Sequence, residues 1–97
     1  MSAALSGIRV IDLGRIVSAP WCTQTLADLG AEVIKVERPG RGDDLRTYGP
    51  AFAHDAEGNP TPESGHFICS NRNKKSVTVD IASPEGQQIV RDLIKSA

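Results

Sequence analysis

The first forty residues switch between two hydrophobic periods in a fixed order, and that order constrains the fold more than any other feature. Residues 8–13, Ile-Arg-Val-Ile-Asp-Leu, form a short, β-branched, mostly apolar run closed by Gly14. The run is too short for a helix and too apolar for a one-sided surface strand, so it predicts a buried strand. From Ser18 the pattern changes. Pro20 suits the first turn of a helix, where its missing N–H costs nothing, and Ser18 is placed to cap from just before it. Cys22, Leu26 and Leu29 recur at i, i+4 and i+7 as one apolar stripe, and Gly30 supplies a left-handed stop. A helix over 19–29 follows. Residues 32–37, Glu-Val-Ile-Lys-Val-Glu, then read as a second strand ended by Pro39-Gly40. Strand, helix and strand in about thirty residues make a βαβ unit with parallel strands.

The theme returns near the end of the chain. Residues 76–81, Ser-Val-Thr-Val-Asp-Ile, alternate like a strand. Ser83-Pro84-Glu85 then opens a helix over 84–96: a cap, a proline at the first position, and an acid near the positive end of the dipole. Ile89, Val90, Leu93 and Ile94 are its expected buried face. The expected class is α/β, with Rossmann-like βαβ units in one domain over residues 1–97. Between the halves, residues 38–75 read as a long irregular loop. Residues 55–65 in it have the look of a mobile excursion, with Tyr48, Phe52 and Phe67 pinning its ends. The sequence ends where a further strand is expected, which would leave Val33, Val36, Val77 and Val79 under-covered.

Charge and composition exclude several classes. Eleven Lys plus Arg against twelve Asp plus Glu leave a net charge of −1, unlike a dedicated nucleic-acid binder. No stretch approaches the roughly 20 apolar residues of a membrane helix. Residues 1–7 lack the basic-then-apolar pattern of a secretory signal. Cys22 and Cys69 stand far apart without Cys-x-x-Cys spacing, so a reduced, cytoplasmic protein is the expectation.

Few residues carry chemistry by position alone. Arg38 sits at the carboxyl end of the second strand, the edge where open α/β sheets bind ligands. There an acid holds a ribose hydroxyl and an arginine accommodates a ribose phosphate; Glu37-Arg38 offers both. The loop from Gly14 to Pro20 leads into a helix N-terminus, which presents N–H groups to an anion, yet it lacks Gly-x-Gly-x-x-Gly. An ordinary NAD site is therefore disfavoured. Asn71-Arg-Asn-Lys-Lys75 is either a solvated basic face or, with Arg38 and Arg41, a phosphate neutraliser. Cys22 reads as a packed core thiol, and Asp12 as a cap on neighbouring backbone N–H groups. His54 and His66, isolated from further ligand spacing, make no metal site. No catalytic constellation is complete.

Taken in order, several segments resemble a known family. They are residues 5–13 (Leu-Ser-Gly-Ile-Arg-Val-Ile-Asp-Leu), Ala19-Pro-Trp-Cys-Thr-Gln24, and residues 26–40 from Leu-Ala-Asp-Leu-Gly to Glu-Arg-Pro-Gly. Gly42-Asp-Asp-Leu-Arg46, Gly49-Pro50, Asn71-Arg-Asn-Lys-Lys-Ser76 and Ser83-Pro-Glu-Gly86 continue them. The whole is similar to the opening of the family III CoA-transferases, the CaiB/BaiF type. The resemblance implies the first part of a larger nucleotide-fold domain. Members move CoA from an acyl-CoA donor to a carboxylic acid through an aspartyl-CoA thioester and mixed anhydrides. The related α-methylacyl-CoA racemases share this opening and exchange a proton α to the thioester. In both branches the catalytic residues lie downstream, so the resemblance implies no catalytic residue within 1–97. An inactive chain, or a non-catalytic nucleotide-binding fragment, is the corresponding expectation.

Residue by residue, the resemblance places Val17 and Ser18 beside the CoA chain near the active centre. It places Arg38 at the adenosine end, and Val79, Asp80, Ile81 and Ala82 along the adenine and ribose. Transferases acting on formyl-CoA often carry Gln where Val17 stands, which argues against that substrate. CoA and acyl-CoA enter as substrates, with no permanently bound cofactor, no metal, no nucleic acid and no membrane. Full-length relatives form interlocked homodimers.

Overall fold

The computed structural model describes residues 3–97. Its centre is a three-stranded parallel sheet in the order β1–β2–β5, with β1 at Arg9–Asp12, β2 at Glu32–Glu37 and β5 at Lys74–Thr78. Register pairs Val10 with Val33 and Ile11 with Ile34 on one side of β2, and Lys35 with Ser76 and Val36 with Val77 on the other. The parallel α/β class expected from the sequence is therefore found. β2 has the expected limits, because Gly30 and Pro39-Gly40 punctuate both of its ends; Gly30 takes φ +106, the positive-φ stop.

Strand alternation divides the core into two faces. On one, Val33 packs with Ala27 and Ala31, flanked by Val10 and Leu26, under helix α1 (Ser18–Asp28). On the other, Val36 and Val79 pack with Val90, flanked by Ile11, Val77 and Leu93, under helix α3 (Pro84–Lys95). Val33, Val36 and Val79 are buried and Val77 is half-buried, so these positions are covered after all. α3 begins as expected: the Ser83 hydroxyl accepts from the Gly86 amide at 2.9 Å, and Pro84 occupies the first turn. Gly86 is required there by close approach, since a Cβ would lie 1.8 Å from the Asp80 carbonyl oxygen.

Several local expectations are corrected. Val17, not Ser18, stands at the N-cap of α1, and no side chain caps it; Ser18 is already helical. The buried residues of α1 are Pro20, Gln24 and Ala27, whereas Cys22 and Leu29 are exposed. The reason is a second neighbour beside the sheet. Gln24 donates to the Cys69 carbonyl and accepts from the Arg72 amide, both at 2.8 Å, so its amide ties α1 to the end of α2 (Gly65–Asn71). Ile89 and Ile94 remain about half exposed, while Val90 and Leu93 are the α3 residues packed against the sheet. β5 starts two residues early and stops at Thr78, although the Val79 amide still donates to Glu37 O.

The segment 38–75 is structured rather than irregular. It holds a 3₁₀ helix (Asp44–Thr47), an antiparallel hairpin of β3 (Phe52–His54) and β4 (Pro60–Ser64), then α2. Asp55 closes the hairpin turn, accepting from the Glu57 and Asn59 amides through Oδ1. Ser64 caps α2 and donates to Tyr48 O at 2.6 Å. Phe67 is half-buried, with the Arg46 guanidinium 3.8 Å from its ring centroid, while Tyr48 is exposed.

Candidate functional site

The carboxyl ends of the three parallel strands open into a cleft of about 410 Å³. Each strand supplies a wall. Leu13, Gly14 and Arg15 follow β1; Val36, Glu37 and Arg38 end β2; Val79, Asp80, Ile81 and Ala82 follow β5. Gly42 and Asp43 enter from the turn after β2. Ligands of open α/β sheets bind at this edge because successive loops diverge there.

Five of the seven sequence-nominated residues meet in this one cleft: Arg38, Val79, Asp80, Ile81 and Ala82. Val17 and Ser18 do not line it; they are exposed at the uncapped start of α1, next along the chain from its β1 wall. Arg38 is half-buried, donates through Nε to Gly42 O at 3.0 Å, and is paired through Nη2 with Asp44. Its remaining guanidinium N–H groups are not consumed by these two partners. Asp80 makes a local turn by accepting from the Ala82 amide at 3.0 Å, which fixes the backbone along that wall.

Glu37 is not available to a ribose. Burial would push its carboxyl up, but the Arg46 guanidinium, the Ser76 hydroxyl and the Asp43 amide outweigh burial and hold it at about 2. Of the two groups at Glu37-Arg38, the carboxylate is thus engaged within the fold, while the arginine keeps guanidinium N–H groups beyond its two partners. Asp12 does bond the Gly14 amide at 2.8 Å, as a cap, and also takes the Thr23 hydroxyl and a buried ion pair with Lys74. Burial raises the Asp12 carboxyl, and the Thr23, Lys74 and Gly14 donors together bring it below its usual range.

The basic run at 71–75 does not reach the cleft. Arg72 pairs with Asp28 at 2.5 Å and Lys75 with Glu32 at 2.7 Å, while Lys74 is buried against Asp12. These cations stand at or before the amino-terminal half of β5, away from the carboxyl edge. The solvated-face reading describes Arg72 and Lys75, which are exposed surface ion-pair partners, whereas Lys74 is a buried partner of Asp12. Cys22 is an exposed free thiol, not a core one.

Two cleft residues escaped the sequence reading. Arg15 lies in the cleft with its Nη1 3.9 Å from Asp44, so a carboxylate stands between two guanidiniums. A cation straight after Gly14 at the end of a parallel strand was the available signal. Asp43 forms a buried pair with Lys35 at 2.9 Å. The signal for that pair was Lys35 itself, a cation set between the apolar residues of the second strand.

The fold is α/β, with a cleft at the carboxyl edge of a parallel sheet. The chain belongs to CoA-transferase family III, whose pattern it matches over residues 5–97. It is 47% identical over 93 residues to the succinate–glutarate CoA-transferase of Agrobacterium fabrum, covering 96% of this chain and 23% of that one. It is 48% identical over 89 residues to the human succinyl-CoA:glutarate CoA-transferase, covering 92% of this chain and 19% of that one. The solved structure of a CaiB/BaiF family protein from Brucella suis superposes over the whole chain and 25% of its own, with a TM-score of 0.87 and 45% identity. The chain thus spans about a fifth to a quarter of the relatives it matches.

Proposed function

We propose that this chain supplies part of the CoA site of a transferase that moves CoA from an acyl-CoA donor to a carboxylic acid acceptor. The cleft carries the reading: Arg38 and the 79–82 wall share it. Arg38 meets the ribose 3′-phosphate of CoA, and Val79, Asp80, Ile81 and Ala82 run along the adenine and ribose. Val17 and Ser18 lie beside the pantetheine arm, toward the reacting thioester. The names of the relatives from Agrobacterium and human support the transferase branch over the racemase branch, and support dicarboxylic acids as the acids between which CoA moves. Two surface thiols, Cys22 and Cys69, fit a reducing, cytoplasmic setting.

The nucleophile is not among residues 1–97, and the chain alone is inactive. Covalent CoA transfer needs a carboxylate free to attack the thioester. Asp12, Glu37 and Asp43 are each spent in buried ion pairs, and Asp44 is shared between Arg38 and Arg15. Acyl-CoA turnover by the purified 97-residue chain, free of host enzyme, would refute this.

The test of the binding reading is Arg38→Ala in the complete transferase subunit. A guanidinium–phosphate bond contributes about 1.5–3 kcal/mol, so CoA binding should weaken roughly tenfold to a hundredfold. The loss should shrink sharply for dephospho-CoA, which lacks the 3′-phosphate. Arg38→Lys should restore only part, because a point charge cannot reproduce the fork. Equal weakening of CoA and dephospho-CoA would show that Arg38 acts on something else.

A further inference from the structure

The buried Lys35–Asp43 pair grips the β1–α1 loop from both sides. Lys35 Nζ donates to the Gly14 carbonyl at 3.1 Å, and Asp43 Oδ1 accepts from the Ile16 amide at 3.0 Å. The two side chains are joined at 2.9 Å and each is only 1% exposed. Asp43 Oδ1 also accepts from the Leu45 amide, which fixes the carboxylate against the 3₁₀ helix. Between the gripped groups the backbone is strained. Ile16 has φ +67, a conformation a β-branched residue rarely adopts and keeps only where the surroundings impose it. The amide that Asp43 holds belongs to that residue.

We propose that the Lys35–Asp43 pair is a positioning device for the loop 14–17, and through it for the CoA cleft. The inference rests on the CoA reading above. Gly14 and Arg15 form the β1 wall of the cleft, and Val17 and Ser18 follow directly from the strained residue. Stability alone does not call for charges here, because a buried ion pair replaced by apolar side chains of similar volume often costs nothing. An apolar pair, however, cannot bond a carbonyl and an amide of the loop at once.

The test uses the complete transferase subunit carrying Lys35→Met together with Asp43→Leu, so that no unpaired charge stays buried and neither side chain can bond the loop. Amide hydrogen exchange at Ile16 and Val17 should accelerate at least about tenfold while β2 keeps its protection. If the loop then holds its shape about a tenth of the time, the apparent Kd for CoA rises about tenfold. Two single variants give the same answer without touching the pair. Ile16→Gly keeps the N–H and accepts the positive φ, so its CoA affinity should stay within about twofold of wild type. Ile16→Pro removes the N–H and forces a negative φ, so its affinity should fall about as far as that of the double variant.

A role confined to stability would lower the melting temperature of the double variant and leave its exchange pattern and CoA affinity unchanged. That result, or wild-type CoA binding by Ile16→Pro, overturns the proposal. Arg38→Ala separates the two readings. If it too leaves CoA affinity unchanged, the CoA reading fails, and the exchange rates of Ile16 and Val17 still decide whether the pair holds the loop.

Discussion

Replacing Glu37 with glutamine tests how strongly the end of β2 is held, and the fold gives the size of the effect. Glu37 is 6% exposed and takes two bonds from Arg46, at 2.7 and 2.8 Å, with further bonds from Ser76 and the Asp43 amide. Its carboxyl is held at about 2, against an ordinary 4.5. A depressed carboxylate contributes stability that is present above its unfolded value and lost as pH falls through its folded one. At about 1.4 kcal/mol for each pH unit, the interval is worth about 3 kcal/mol. Arg46 is about one-third exposed, and solvent screening brings the figure nearer 2 kcal/mol. Glu37→Gln should therefore destabilise the chain by about 2–3 kcal/mol at pH 7. The gap to wild type should close steadily between pH 4.5 and 2, where the wild-type carboxyl protonates in the unfolded chain before it does in the folded one. Urea denaturation followed by circular dichroism across that range measures the gap, and the other depressed carboxylates, Asp12, Asp28, Glu32 and Asp43, cancel in the difference. A gap that stays constant from pH 7 to pH 2 would refute the reasoning.

Two more expectations come from the same region. Asp44→Asn removes the carboxylate shared by Arg38 and Arg15, so CoA should bind about two- to fivefold more tightly, the scale of one partly exposed ion pair; titration calorimetry at low salt reads it. Gly86→Ala drives a Cβ into the Asp80 carbonyl, so α3 must shift, costing about 2 kcal/mol or more in a thermal or chemical melt. Because Asp80 walls the cleft, CoA affinity should fall with it.

The parallel sheet was legible because its strands are short apolar runs bounded by strong punctuation. Gly14, Gly30 and Pro39-Gly40 each end an element in one or two residues. Once βαβ units are recognised, topology puts Arg38 at the carboxyl edge of the sheet without any distance being known; residues 79–82 were nominated by the family resemblance alone, and the fold brings the two into one cleft. Where a polar residue lies inside, that logic fails. Lys74 and Lys75 belong to β5, but a pattern that treats lysine as surface starts the strand at residue 76; the partners Asp12 and Glu32 lie more than forty residues away. Gln24 was passed over on α1 for the same reason, since its burial depends on the backbone of α2. The elements between residues 38 and 75 run three to seven residues each, too few for a period to show, and β4 carries two prolines, at positions 60 and 62. Asp43 reaches the cleft only because that segment folds back on β2, which no local pattern encodes.

The central claim is that the cleft at the carboxyl edge of β1, β2 and β5 holds the nucleotide end of CoA. The most direct measurement is a crystal structure of the complete transferase subunit with CoA bound. The expected result is the adenosine lying along residues 79–82, with the 3′-phosphate within hydrogen-bonding distance of the Arg38 guanidinium. Clear density for the adenosine elsewhere, with Arg38 still engaged only by Asp44 and Gly42, would contradict it.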